Sequence, residues 1–305
     1  MRRLALVFYD PASARLRAGV RITIHLLALA VLLIVLALLG PALPPLLAGP
    51  LAFAGILGIT GLAARFLDRR PFVDLGLRAD GRTAVDLLAG TLVGTGAITL
   101  VAVLETLEGV SRYALVAAAP SALRVGTVGV FFVGVAIQEE LVFRGYHLVN
   151  LTEGLEGPTR TRGRAAVLAT VLAALGFGLA HAGNDGATML ATLQVALAGG
   201  TLLAVGFLVT GDLAFSIGLH FAWNFAQAVL GMPVSGFVLS DAALCSRTTE
   251  GAELWTGGAF GPEASLNGLA AMLVGTAASL AYARLRYGPL AVRLRERPKA
   301  ATPSA

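Results

Sequence analysis

The chain alternates long apolar runs with short polar or charged segments. A helix of ~20 apolar residues crosses the ~30 Å hydrocarbon core of a bilayer, and runs of about that length recur throughout. About eight such spans can be placed, roughly 22–42, 46–65, 84–104, 125–148, 165–182, 188–209, 213–231 and 266–284. Residues 41–50 (PALPPLLAGP) separate the first two, because proline lacks an amide donor and clashes with the preceding turn. Gly90 and Gly94 in the third span form a small-xxx-small pair that lets another helix approach closely. The pattern predicts an all-α fold, a polytopic membrane bundle of about eight transmembrane helices, with no soluble domain and no internal repeat. Its expected parts are a basic N-terminus (1–21), the bundle (22–284) with a functional core at 125–230, and a basic, disordered tail (285–305).

Composition agrees. Hydrophobic residues make up 56% and charged ones 13%, with a mean hydropathy of +0.79, whereas a soluble domain carries about a quarter charged residues. The net charge of +5 suggests nucleic acid at first sight, but the cations cluster at the ends of apolar runs rather than on one polar face. They are better read as topology signals, and no nucleic-acid partner is expected. Arginines concentrate before the first span, at 69–82, at 160–164 and after the last span, while alternate loops carry carboxylates such as Glu105, Glu108, Glu250 and Glu263. The positive-inside rule then puts both termini in the cytoplasm. An integral, multi-pass location follows, in the cell membrane if the source is bacterial. The first apolar run reads as a retained span rather than a cleaved signal, and Cys245, the single cysteine, excludes an internal disulfide.

A charged side chain within a span costs a few kcal/mol or more and asks for a partner or a function. The fourth span places Glu139, Glu140 and Arg144 in an apolar run. Glu140 and Arg144, four apart, share a helix face and form an ion pair, whereas Glu139 points about 100° away. A carboxylate left without a partner in a low-dielectric site holds its proton more tightly than in water, which suits a general base near neutral pH. The fifth span ends at His181. The seventh carries His220 and Asn224, four apart and on one face, able to donate to an oxyanion or, for the histidine, to ligate a metal. His25 and His147 lie near span ends and read as interfacial. Three spans thus supply a base, an ion pair, two imidazoles and an amide, an inventory suited to peptide-bond hydrolysis. Two rival classes stay open: a noncatalytic peptide-binding or immunity protein, and a proton-coupled transporter.

Glu139-Glu140-x-x-x-Arg144, then Phe177-x-x-x-His181, then His220-x-x-x-Asn224 together resemble the motifs of the CPBP (Abi) intramembrane proteases. That family includes the type II CAAX prenyl endopeptidases and proteins linked to bacteriocin processing and self-immunity. Phe72–Arg78 and Thr210–Leu213 are similar to flanking loops of bacterial members. The resemblance implies an intramembrane endopeptidase in which Glu139 activates a water held by His181, and His220 and Asn224 stabilise the oxyanion, with Glu140 and Arg144 in support. It implies a peptide or protein substrate, embedded in the membrane or lipidated, among membrane lipids. No cofactor is obligatory; a zinc ion held by Glu139, His181 and His220 stays open. One difficulty arises. His181 lies ~25 Å along its helix from Arg164, toward the far face, while Glu139 sits near mid-membrane. The expected remedy is a fifth helix that starts in the cytosol, with 165–171 above the bilayer.

Overall fold

The computed structural model describes residues 7–295 apart from residue 12, and shows an all-α, polytopic membrane bundle. Among the described residues seven helices are long and apolar enough to cross a membrane: α1 (Ala18–Leu39), α2 (Leu47–Leu67), α3 (Gly81–Leu107), α4 (Ala122–Leu155), α5 (Arg162–Ala180), α6 (Met189–Thr210) and α8 (Leu266–Tyr287). The remaining expected span is α7 (Leu213–Val229), of 17 residues. It is buried along most of its length, because the other helices surround it, and so it meets protein rather than lipid.

Helix ends follow local chemistry. Asp80 accepts from the Arg82 and Thr83 amides at the start of α3, and Ser121, Asp212 and Ser265 cap α4, α7 and α8. Gly211, at φ 71°, ends α6 in the left-handed conformation and allows the two-residue turn into α7. The Leu213 amide donates to Gly76 O, and Thr83 Oγ1 donates to Asp212 Oδ2, so the 72–78 and 210–213 segments pack against each other. The Asp80 carboxyl, fed by those two amides, lies below the usual carboxylate range.

Gly90 and Gly94 act as predicted. A Cβ on Gly90 would lie 1.9 Å from Phe215 O and one on Gly94 2.4 Å from Leu219 O, so the α3 and α7 backbones touch. Gly218 repeats this from α7, with Leu87 O 2.2 Å from its would-be Cβ. α7, which carries His220 and Asn224, is thereby fixed against α3.

Three expectations change. α4 runs to Leu155 rather than 148, because its polar last turns are buried in protein: Asn150 and Thr152 are inaccessible, and Glu153 takes Arg15 and Arg70. Arg21 and Asn150 pair with the buried Asp68 beside them. His25 and His147 are not interfacial; both are buried, 3.1 Å apart, with His25 Nε2 donating to Thr60 Oγ1, whose own proton goes to Ile56 O. Of the tail, residues 285–295 are docked, with Arg295 on Asp74 and Arg293 on Tyr287 O; the disorder expected for 296–305 lies outside the described residues.

The depth difficulty at His181 is resolved by the same extension. About 20–25 Å of α4 separate Glu139 from Leu155, and about 28 Å of α5 separate Arg162 from His181, so the two residues reach similar levels. The start of α5, with Ala165, Ala166 and Ala169 buried, lies along the last turns of α4.

The α3–α7 contact gives a direct test. Gly90→Ala should destabilise the detergent-solubilised protein by ~1–3 kcal/mol, as overpacking does, while Gly96→Ala, whose Cβ meets nothing within 4 Å, should not lower its thermal midpoint.

Candidate functional site

The site forms where α4, α5 and α7 meet. Just after Glu140 the α4 backbone widens into a π-helical stretch, Leu141–Leu148, and α6 does the same at Val195–Gly200. Such insertions recur at functional sites because they re-aim side chains without ending the helix.

Glu140 is wholly buried. Its Oε1 accepts from Arg144 Nη1 at 3.0 Å and from His220 Nδ1 at 2.8 Å. Arg144 also donates to Gly200 O at 3.2 Å, and its guanidinium lies 4.3 Å from the centre of the Phe177 ring. Phe177 is the packing hub, since the His181 and His220 rings both lie against it. Gly178 brings α5 close to α6, where a Cβ would stand 2.6 Å from Thr192 O.

The hydrogen bonds assign the imidazole protons. His181 Nδ1 lies 2.8 Å from Phe177 O, and a carbonyl only accepts, so Nδ1 carries the proton. His220 Nδ1 likewise donates to Glu140. In its neutral form each ring therefore turns a bare Nε2 away from its anchor. His220 Nε2 lies 3.8 Å from Glu139 Oε2, an oxygen buried without a hydrogen-bond partner among the described residues. Asn224, one turn beyond His220, is buried at 7% exposure, and its amide makes no hydrogen bond to the described residues.

Glu139, His181 and Asn224 line one cavity of about 370 Å³, with Gln138, Phe143 and Asn184. A smaller cavity of about 40 Å³ adjoins it, and His181, His220 and Asn224 line that one too. All six sequence-predicted residues are thus gathered. The expected separation of Glu140–Arg144 from His220–Asn224 is modified, because His220 is bonded to Glu140 and joins the two carboxylates. Among the described residues no group of three or more His, Cys, Asp or Glu side chains is arranged to hold a metal ion.

Two further residues had no sequence signal. Glu263 is buried beside the smaller cavity and accepts from Trp223 Nε1 at 3.3 Å and Ser235 Oγ at 3.4 Å. Ser235 lines both cavities, and its carbonyl accepts from Asn184 at 2.8 Å. The segment between α7 and α8 therefore folds over the site, stitched to the α3–α4 loop by a two-stranded sheet, β1 (Ser111–Leu115) with β2 (Cys245–Thr249).

Residues 121–226 match the family described as Type II CAAX prenyl endopeptidase Rce1-like. The match supports a CAAX protease family member. All six predicted residues, with Phe177, fall inside the matched segment, whereas α1–α3, the 230–265 segment and α8 lie outside it. The family supports a protease, and with it a peptide or protein substrate, in an integral multi-pass membrane protein. No curated protein and no solved structure matches the chain.

Two outcomes follow. Arg144→Met leaves Glu140 as a buried charge with a single partner, and should cost ~3–5 kcal/mol in a denaturation midpoint, with part recovered in Arg144→Met/Glu140→Gln. Burial pushes the Glu263 carboxyl up. The folded protein then holds a proton that the unfolded chain has released, so stability falls as pH rises above the ordinary carboxylate range. Glu263→Gln should flatten that decline in a series of melts across pH.

Proposed function

We propose that the protein is an intramembrane endopeptidase of CAAX protease type that hydrolyses a peptide bond with a water activated by Glu139. The observation that carries this reading is the convergence of Glu139, His181 and Asn224 on one cavity, with His220 joining Glu139 to Glu140.

The steps use the chain's own groups. His181, its Nδ1–H tied to Phe177 O, offers Nε2 as an acceptor and holds the water by one hydrogen. Glu139 takes the other proton as the oxygen attacks the substrate carbonyl. The carbonyl π electrons move onto its oxygen, where the Asn224 amide donates. His220 takes a wider part here than the resemblance implies. With Nδ1–H on Glu140, a neutral His220 has no donor for an oxyanion. The proton collected by Glu139 has a short path to His220 Nε2, and the resulting imidazolium is held by Glu140 on its other side. Charged in this way, His220 donates to the oxyanion and then protonates the departing amine as the carbon–nitrogen bond breaks. Arg144, bonded to Glu140 Oε1, keeps that carboxylate correctly oriented throughout, and so acts by positioning.

Different residues should fail differently. Glu139→Gln should abolish cleavage of membrane peptides while leaving the thermal midpoint near that of the wild type. Asn224→Ala should lower kcat by ~10²–10³ with little change in KM, because its donor acts on charge that develops only in the transition state. Cleavage that persists in purified Glu139→Gln protein would refute the mechanism.

A further inference from the structure

The two ends of the bundle differ in charge. At one end Arg15, Arg21 and Arg70 surround Asp68 and Glu153, Arg295 pairs with Asp74, and Arg162 donates to Arg295 O. Arg160, Arg164, Arg284 and Arg286 belong to the same end by helix order. At the other end the described residues include Arg112, Arg124 and Arg247, set against Glu105, Glu108, Asp185, Asp241, Glu250, Glu253 and Glu263. Two of those three arginines are neutralised locally, Arg247 by Glu105 and Arg112 by Glu250. The positive-inside rule assigns the arginine-rich end to the cytoplasm.

The larger cavity extends from Phe143 toward the opposite end. From Glu139 it follows α4 backward through Val135, Phe132 and Phe131, toward that helix's acidic-end start. His181 and Asn184 belong to the α5–α6 turn at the same end, and Ser235, Phe237 and Leu239 of the segment before α8 line its wall there. Toward the cytoplasm the route is closed. Phe143 and Phe177 meet edge to face at 5.2 Å, and Arg144 behind them is bonded to Gly200 O of α6. Below that lie the buried His25–His147 pair and the Asp68 cluster.

We infer that the cleft opens toward the extracytoplasmic side. The bond it cuts would then lie in a segment occupying the extracytoplasmic leaflet or emerging from it. The cleft wall tells what such a segment looks like. Phe131 and Phe237 flank the cavity at 55% and 62% exposure, with Val130 and Val238 beside them, so an apolar, membrane-anchored stretch fits and a charged soluble peptide does not. The substrate class rests on the protease reading; the sidedness stands without it.

Native Cys245, in β2 at the acidic end, supplies the probe. Intact cells expressing the full chain are treated with a membrane-impermeant maleimide, and labelling is compared with that after permeabilisation. Cys245 is expected to label in intact cells, as is Phe237→Cys in a Cys245→Ser background. Gly157→Cys, placed in the exposed α4–α5 turn of the arginine-rich end, is expected to label only after permeabilisation. If Gly157→Cys labels in intact cells while Cys245 and Phe237→Cys are both protected, the inference is overturned. Loss of cleavage in Glu139→Gln bears on the protease reading alone, because labelling needs no activity.

Discussion

The bond on which the site depends is the one between Glu140 and His220. A wholly buried carboxylate is costly unless its charge is neutralised and its lone pairs are used. Arg144 supplies the first condition from one turn away on the same helix, and His220, 80 residues distant in sequence, supplies part of the second. Because the carboxylate accepts from Nδ1, the imidazole has one orientation and one neutral tautomer, with Nε2 facing Glu139. A structural need, the satisfaction of a buried charge, thereby sets the chemistry of the neighbouring carboxylate. His181 is handled in the same manner by a backbone carbonyl, and Phe177 serves both rings as a wall. Adjacent glutamates in one helix take unlike parts because one is held through Oε1 by Arg144 and His220 and the other borders a cavity.

Close helix contacts make this arrangement rigid. Gly90, Gly94 and Gly218 bring α3 and α7 to backbone contact, and Gly178 draws α5 against α6. In lipid, where apolar surface gains little from burial, such packing and buried polar contacts are the main sources of association between helices. The polar clusters at the arginine-rich end, around Asp68 and around His25–His147, bind α1 and α2 to the long α4 and keep its last turns from protruding alone.

Much of this was legible in the sequence, for a definite reason. Glu139, Glu140, Arg144, His181, His220 and Asn224 stand out because lipid-length apolar runs do not tolerate such groups without cause, and their spacing gave the Glu140–Arg144 pair directly. The small-xxx-small pair foretold a close helix contact on α3, though not that α7 would make it. What stayed hidden depends on contacts between distant parts of the chain. VNLTEGL at 149–155 looks like a loop, since its polarity is answered by Arg15 and Arg70 rather than by water. His25 and His147 look interfacial for the same reason. Glu263 and Ser235 sit in a segment with no periodicity, and only the folded chain brings them over the cavity.

The central claim is that Glu139 acts on water and does not itself attack the substrate. Single-turnover cleavage in ¹⁸O-water tests it most directly, using a membrane peptide that accumulates in cells carrying Glu139→Ala protein. The account predicts one ¹⁸O in the new carboxyl terminus of the product and none in the peptide that contains Glu139. Label recovered in the Glu139 carboxyl, or a covalent adduct trapped there, would contradict it.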